Sequence, residues 1–486
     1  MRASDRRLLA ALACFLLALP VAPASAAEDW HDLFDGKTLA GWIANETPRS
    51  FQVVDGAIVC NGPRSHLFYM GPVQGARFRN FEFEAEVLAR PGANSGIYFH
   101  TAFQDKDWLT KGYEVQINGS ATGEGGYREN KRTGSLYGIR NVHRTLLPDD
   151  RWFTIRIRVL EKRVTIHVDD VLTVDYVEPP NAPNGGYRDR RLDEGTFALQ
   201  CHDPGSRALY RKVRVRSLTS PADLSGPVPD PTAFQIPTEL AALHANNFPV
   251  VDLHTHLKGG LTREGVLERQ FRTGINAGIV VNAGLGFAVT NDAGLDHALR
   301  DLRHPLTYAG IQGEGREWFR LFSPEAIARF DYVITDAMTF SDDEGRRMRL
   351  WIPNEVRVAD PQAFMDLLVR RTVGILENEP IHVWANPTFL PAELQPRYAE
   401  LWTEERMDRV IAAAVKRGIA IEINDRFQLP SEAFIRRAQK AGGLFTFGTN
   451  NAGPDDLGRL DYGVRMARVC GLKWSDFWVP PPKPAP

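Results

Sequence analysis

The hydrophobic rhythm of this chain changes once, near residue 218, and that change most limits what the chain can fold into. From Asp29 to Leu218 the pattern has a period of two. "FQVVDGAIVC", "FEFEAEVLA", "SGIYFHTAF", "YEVQIN", "WFTIRIRVLEKRVTIHVDDVLTVDYV" and "GTFALQCH" are short alternating stretches separated by Gly, Asn or Asp. "VLEKRVTIHVDD" reads as a hairpin. Many strands without helices between them predict a sandwich or jelly roll, whose concave sheet can hold a sugar. Residues 219–245, with "SPADLSGPVPDPTAFQIP", are proline-rich and aperiodic and read as a linker. From residue 246 to 479 strand-like runs ("FPVVDLH", "AGIVVNAG", "LTYAGIQGEG", "FDYVITDAM", "IHVWANP", "IAIEIND", "LFTFGTN") alternate with amphipathic helical stretches. Repeated βα units predict a parallel sheet long enough to close into a barrel, with its chemistry at the C-terminal strand ends. His254, Glu314, Asp336, Asn386, Asn424 and Asn450 all fall there. The tail 480–486, "PPPKPAP" after Val479, reads as disordered.

Composition narrows the partners. The 486 residues carry 58 Lys and Arg against 60 Asp and Glu, a net charge of -2, with no basic tract. That argues against a nucleic-acid surface. Residues 1–26 combine Arg2, Arg6 and Arg7 with an apolar core and end in "ASA", the pattern of a cleavable signal peptide, so the expected location is periplasmic or secreted. No other segment is apolar for long enough to span a bilayer. Cys60, Cys201 and Cys470 remain beyond the signal and make no disulfide framework; burial as small apolar side chains is the expected state, with a Cys60–Cys201 pair as the alternative.

Five separated motifs carry a resemblance. "WHDLFDGKTLAGW", "GANSGIYFHTAF", "GYEVQING", "TGSLYG" and "GTFALQCHDPGSRALYRKVRVRSL" occur in order between Trp30 and Leu218. They resemble the 3-keto-disaccharide hydrolase family, also called the 3-keto-α-glucoside 1,2-lyase/3-keto-2-hydroxy-glucal hydratase domain. The resemblance implies a concanavalin-like jelly roll for residues 27–218 and cleavage of a glycoside whose C3 hydroxyl is already a ketone. The ketone acidifies the C2 hydrogen; a base removes it, the enolate expels the group at C1, and water can add back. Such a site needs a base near neutral pH, an acid for the leaving oxygen and a holder for the enolate. Glu114 and Gln116 share one face in "YEVQ", Gln200 and His202 share one in "LQCH", and His100 closes "GIYFH". Glu114, His202 and His100 are the expected acid/base group, with Gln116, Gln200 and Tyr137 as hydrogen-bonding neighbours. Trp30, Phe34 and Trp42 read as core, and His66, His143 and His167 as ordinary surface residues.

In the second half, the two histidines of "VVDLHTH" point to one side of a strand end, which lets His254 and His256 reach one cation. This opening resembles that of PHP and amidohydrolase-type metal-dependent hydrolases, as do "GIQGEGRE", "FDYVITDAMTF", "IAIEIND" and "GGLFTFGTNNAG". Asn386, Asn450 and Ala452 stand where that pattern has a metal-binding or histidine residue. The resemblance therefore implies at most one divalent metal ion, held by His254, His256, Glu314 and Asp336. Lys258 and Arg316 suit an anionic or enolate-like ligand, and His382 reads as a packing residue. The expected chain is multidomain: an all-β concanavalin-like jelly-roll sandwich followed by an α/β barrel, TIM-like and PHP-type. The leading reading is an exported enzyme acting on 3-keto-sugars with a carbohydrate substrate. The alternatives are a metal-dependent phosphoester or amide hydrolase with the sandwich as a carbohydrate-binding module, and a non-catalytic glycan-binding protein. Oligomeric state is not legible.

Overall fold

The computed structural model describes residues 30–120, 127–184, 186, 189–219, 223, 225 and 229–483. The signal-like segment 1–26 lies outside the described residues.

The alternating half folds as expected into two packed antiparallel sheets. One has eight strands, ordered Val171–Val177, Arg163–Val168, Trp152–Leu160, Phe81–Ala89, Ala208–Ser217, Ala57–Cys60 and Phe51–Val54, with His31–Asp32 added beside Ala208–Ser217. The other has five: Trp42–Ala44, Ser65–Tyr69, Thr196–Cys201, Asn94–Thr101 and Tyr113–Asn118. The hairpin is real, with Leu160 paired to Arg163 across a two-residue turn. Between the sheets lie the alternate residues Phe81, Phe83, Ile97, Phe99, Val115, Ile155, Ile157 and Phe197, all fully buried. The outer face of the larger sheet is a charge ladder. Glu84 sits opposite both Arg156 and Arg214, bonding them at 2.9 and 2.5 Å, and Glu82 binds Arg216 at 2.5 Å. Trp42 and Phe34 are core, as expected. Cys60, Cys201 and Cys470 are free and buried, so the Cys60–Cys201 pair is not formed.

The second half closes a parallel barrel of seven strands, Val251–Thr255, Asn276–Ala283, Tyr308–Gly313, Tyr332–Thr335, Val383–Trp384, Ala420–Asn424 and Phe445–Gly448. The count matches the seven strand-like runs of the sequence and is one fewer than the eight of a TIM barrel. Helices such as Pro361–Asn378 and Glu404–Arg417 pack outside; the latter begins at a Thr403 cap and ends at Gly418 in the left-handed region. Leu253, Val280, Tyr308, Tyr332 and Val383 fill the barrel axis.

The stretch 219–245 is not a free tether. Its later part forms a 3-10 turn at Pro231–Phe234 and a helix at Thr238–Ala245, which bury Phe234, Leu240 and Leu243. The sequence hid this helix because its apolar residues surround the axis rather than forming one stripe. The loop 128–145 of the sandwich docks on the N-terminal strand ends of the barrel. His143 accepts the Val250 N–H on Nε2 and donates from Nδ1 to the Asn130 carbonyl, while its own N–H reaches Asn276. Tyr308 donates to the His143 carbonyl, and Arg144 pairs with Asp331 at 2.7 Å. His143 is thus an interface residue, not a surface one. The tail read as disordered is anchored at Lys483, whose ammonium donates to the Ala328 and Phe330 carbonyls; residues 484–486 lie outside the described residues.

Candidate active site

The free face of the five-stranded sheet is lined by polar side chains, because alternation that sends Val115, Ile97 and Leu199 into the core sends their neighbours outward. Glu114, on the edge strand Tyr113–Asn118, is 3% exposed. Tyr98 donates to Glu114 Oε2 at 2.8 Å and Gln200 Nε2 donates to Oε1 at 3.1 Å. Gly96, cross-strand from Gln116, makes room: a β-carbon there would stand 2.4 Å from Glu114 Oε1. Burial pushes the Glu114 carboxyl up to about 7, against the Tyr98 hydrogen bond and the positive charges of Arg190 and Lys131, which pull it down. Gln116 continues the same face and donates to Asn94 at 2.8 Å; its Oε1 and that of Gln200 are buried without a protein partner.

A wall of rings extends from this carboxyl. His66 meets Tyr98 edge-on, with centroids 5.5 Å apart, and Trp108 at 6.0 Å. Trp108 in turn packs on His202 at 4.9 Å, with the Arg64 guanidinium over its ring. His202 Nδ1 bonds Asp203 at 2.7 Å. His202 is therefore linked to Glu114 through Trp108, His66 and Tyr98. His66, read as a surface residue, is fully buried, neither ring nitrogen has a protein partner, and burial lowers its pKa to about 4. The sequence concealed it because the strand Ser65–Tyr69 is buried on both faces.

On the opposite side, the loop after the sheet brings Glu129, Lys131 and Tyr137. The Lys131 ammonium lies 3.3 Å from Glu129 Oε1 and 4.3 Å above the Tyr137 ring, and both charged residues are at most 2% exposed. Tyr137 donates its N–H to the Glu114 carbonyl and its hydroxyl to Glu129. Burial lowers the Lys131 pKa, partly offset by Glu129 and Glu114. Lys131, Glu129 and the buried Arg190 escape sequence reasoning because they sit in aperiodic loops.

His100 is not at this site. Its backbone turns left-handed, φ 54°, which breaks the alternation and swings the ring toward Phe81 and Phe99. There Nε2 donates to the Arg79 carbonyl and Nδ1 accepts from the Asp193 N–H, a fixed neutral tautomer. His100→Gln is expected to lower stability by about 1–2 kcal/mol and to leave sugar turnover within a few-fold; a melting curve beside a rate assay checks both.

The barrel mouth gathers the second candidate group, but in a different arrangement from the expected one. His254 Nδ1 bonds Glu422 at 2.7 Å, its Nε2 lies 3.1 Å from Gln312 Oε1, and the His256 ring is 5.1 Å away. Burial pushes the His254 pKa down and the Glu422 carboxylate more than offsets it, so the pKa is raised; burial and this neighbour push His256 well down. Glu314 accepts from Asn282 at 2.6 Å and Asp336 from Asn386 at 3.0 Å. Burial and the nearby Asp336 raise Glu314 to about 8. Among the described residues no three His, Cys, Asp or Glu side chains converge to hold a metal ion. With both His254 nitrogens engaged, the set His254, His256, Glu314 and Asp336 does not fit a cation. Arg316 is occupied too, by Glu379 at 2.9 Å and Thr335 at 3.1 Å, and is not free for an anionic ligand. Lys258 stays half-buried at the mouth near Arg426, and His382 packs on Trp478, as expected.

The fold is a β-sandwich carried on a seven-stranded parallel barrel. The comparisons with known proteins are specific for the sandwich: residues 29–216 match the model of the 3-keto-alpha-glucoside-1,2-lyase-like domain, which supports a carbohydrate-active function. Among solved structures, the chain is similar to a proposed glycosyl hydrolase from Parabacteroides distasonis, 18% identical over 39% of this chain and 94% of that one, TM-score 0.34. It is also similar to a carbohydrate binding module from Bacillus subtilis, 15% identical over 36% and 96%, TM-score 0.24. None of the curated proteins compared matches it. Among the described residues no helix is long and apolar enough to cross a membrane.

Proposed function

We propose that the sandwich groove cleaves 3-keto-glycosides by β-elimination, with Glu114 as the base. The observation that carries this reading is a fully buried carboxyl, pushed to about 7, that accepts hydrogen bonds from Tyr98 and Gln200. A base of that pKa is half-ionised at neutral pH and strong enough to take an activated proton. Glu114 takes the C2 proton; the C2–H electron pair forms the C2=C3 bond and the ketone oxygen becomes an enolate. The cations of Lys131 and Arg190 stabilise that charge in a site shielded from water. The enolate then re-forms the ketone, the C2=C3 pair shifts to form C1=C2, the C1–O bond breaks with its pair leaving on oxygen, and a proton from His202, oriented by Asp203, satisfies that leaving oxygen. The products are the unsaturated 3-keto sugar and the free aglycone alcohol; rehydration would run the same groups in reverse with water. Trp108 offers a ring face for a sugar to stack on.

In this reading the signal-like residues 1–26 deliver the enzyme outside the cytoplasm. The barrel's resemblance to PHP-type hydrolases is one of sequence motifs, opening with His254-x-His256, and its residues support no metal-dependent step. The test is incubation of the purified protein with a 3-keto-glucoside and with its unoxidised parent, following the unsaturated ketone by ultraviolet absorbance with and without a chelator. Turnover of the keto substrate alone, unaffected by the chelator, is expected. Absence of turnover on the keto-glucoside defeats the lyase reading.

A further inference from the structure

Asn247 lies outside the sandwich, in the two-residue connection between the helix Thr238–Ala245 and the run into the first barrel strand. It is 6% exposed and its backbone is left-handed, φ 63°, a conformation that asparagine tolerates better than most residues. That turn aims the whole residue at the sandwich loop. Its Oδ1 accepts the Asn130 N–H at 2.9 Å, its Nδ2 donates to the Arg128 carbonyl at 2.8 Å, and its own carbonyl accepts from Asn130 Nδ2 at 2.9 Å. Lys131 Nζ stands 3.5 Å from the same Oδ1. Three of the four residues 128–131 (Arg128, Asn130 and Lys131) are therefore held by one barrel residue.

Those four residues contain the charged pair of the groove. Glu129 Oε1 accepts the Lys131 N–H at 3.0 Å and faces the Lys131 ammonium at 3.3 Å; Asn118 donates to the carbonyls of both. The sandwich alone supplies Asn118 beneath this turn, and the barrel supplies Asn247 on its other side.

We propose that Asn247 is a positioning residue of the sandwich groove, through which the barrel fixes the Glu129–Lys131 pair beside Glu114. The barrel is then a structural part of the sugar site although its own mouth opens at the opposite strand ends. This rests on the groove being the reactive site, so the test carries a readout independent of turnover.

In the full-length protein, Asn247→Gly keeps the left-handed backbone and deletes the clamp, while Asn247→Asp keeps the acceptor toward Asn130 and Lys131. The two readouts are steady-state kinetics on a 3-keto-glucoside and the rate of reductive methylation of Lys131, read by peptide mass spectrometry. Asn247→Gly is expected to lower kcat by about tenfold to a hundredfold with KM little changed, and to raise Lys131 labelling; Asn247→Asp is expected to stay near the parent in both. Unchanged Lys131 labelling in Asn247→Gly overturns the proposal whatever the turnover. So does raised labelling with an unchanged kcat. If the parent protein turns over no keto-glucoside, the lyase reading fails by itself, and labelling still decides whether Asn247 holds the pair.

Discussion

Glu114→Gln is expected to abolish elimination of a 3-keto-glucoside, by about 10³-fold in kcat, and at the same time to stabilise the protein above neutral pH. Both effects have one cause. The buried site raises the Glu114 carboxyl from its ordinary 4.5 to about 7, so the folded state resists its ionisation. A carboxyl whose folded pKa exceeds its unfolded value favours the fold below about 4.5 and loses that contribution as pH rises through 7. At pH 8 the ionised Glu114 therefore opposes folding by about 3 kcal/mol. Glutamine fills the same space, bears no charge and removes the opposition. Thermal melts at pH 4 and pH 8 should show a gain for the variant only at the higher pH. A variant less stable than the parent at pH 8, or one that still eliminates, would remove Glu114 from the role of a strained base.

Arg140→Ala is expected to uncouple the two halves. Arg140 is 3% exposed and has no carboxylate partner among the described residues. Its guanidinium instead donates to backbone carbonyls of Ile139, Phe234, Phe271 and Arg272, at 2.6 to 3.0 Å, and lies over the Tyr176 ring. Burial lowers its pKa only to about 10, so it remains charged at neutral pH. Phe234 belongs to the connecting segment, Phe271 and Arg272 to a barrel helix, so one side chain ties three parts together. Removing it strands buried carbonyls and leaves a cavity, at a cost of about 3–5 kcal/mol. Calorimetry should show one cooperative transition in the parent and two separated ones in the variant. A variant that melts as one unit at the parental temperature would mean that this junction does not couple the halves.

The sequence made the architecture legible where periodicity was strong. The two-residue alternation in "YEVQIN" puts Glu114 and Gln116 on one face, and the βα repeats announce a parallel barrel. It failed where local backbone overrides the period. His100 shares the parity of Tyr98, yet a single left-handed residue sends it to the other side of the sheet. It failed again where long-range packing decides. Nothing near Lys131 or Arg190 in the sequence signals that loops will carry them into the groove, and nothing around Asn247 signals that a barrel residue will hold one of those loops. In the barrel, the His-x-His spacing predicted proximity correctly, since the rings are 5.1 Å apart, but spacing is silent on partners. Glu422 and Gln312, from two other strands, claim both nitrogens of His254.

The central claim is proton removal from C2 by the sandwich, and a 3-keto-glucoside deuterated at C2 tests it most directly. The unsaturated product and any sugar formed by rehydration are expected to lose the label to solvent, and cleavage of the deuterated substrate is expected to be slower than that of the protiated one in the wild-type protein. Release of the aglycone at equal rates, with deuterium retained at C2, would mean that the C1 bond breaks without elimination and would contradict it.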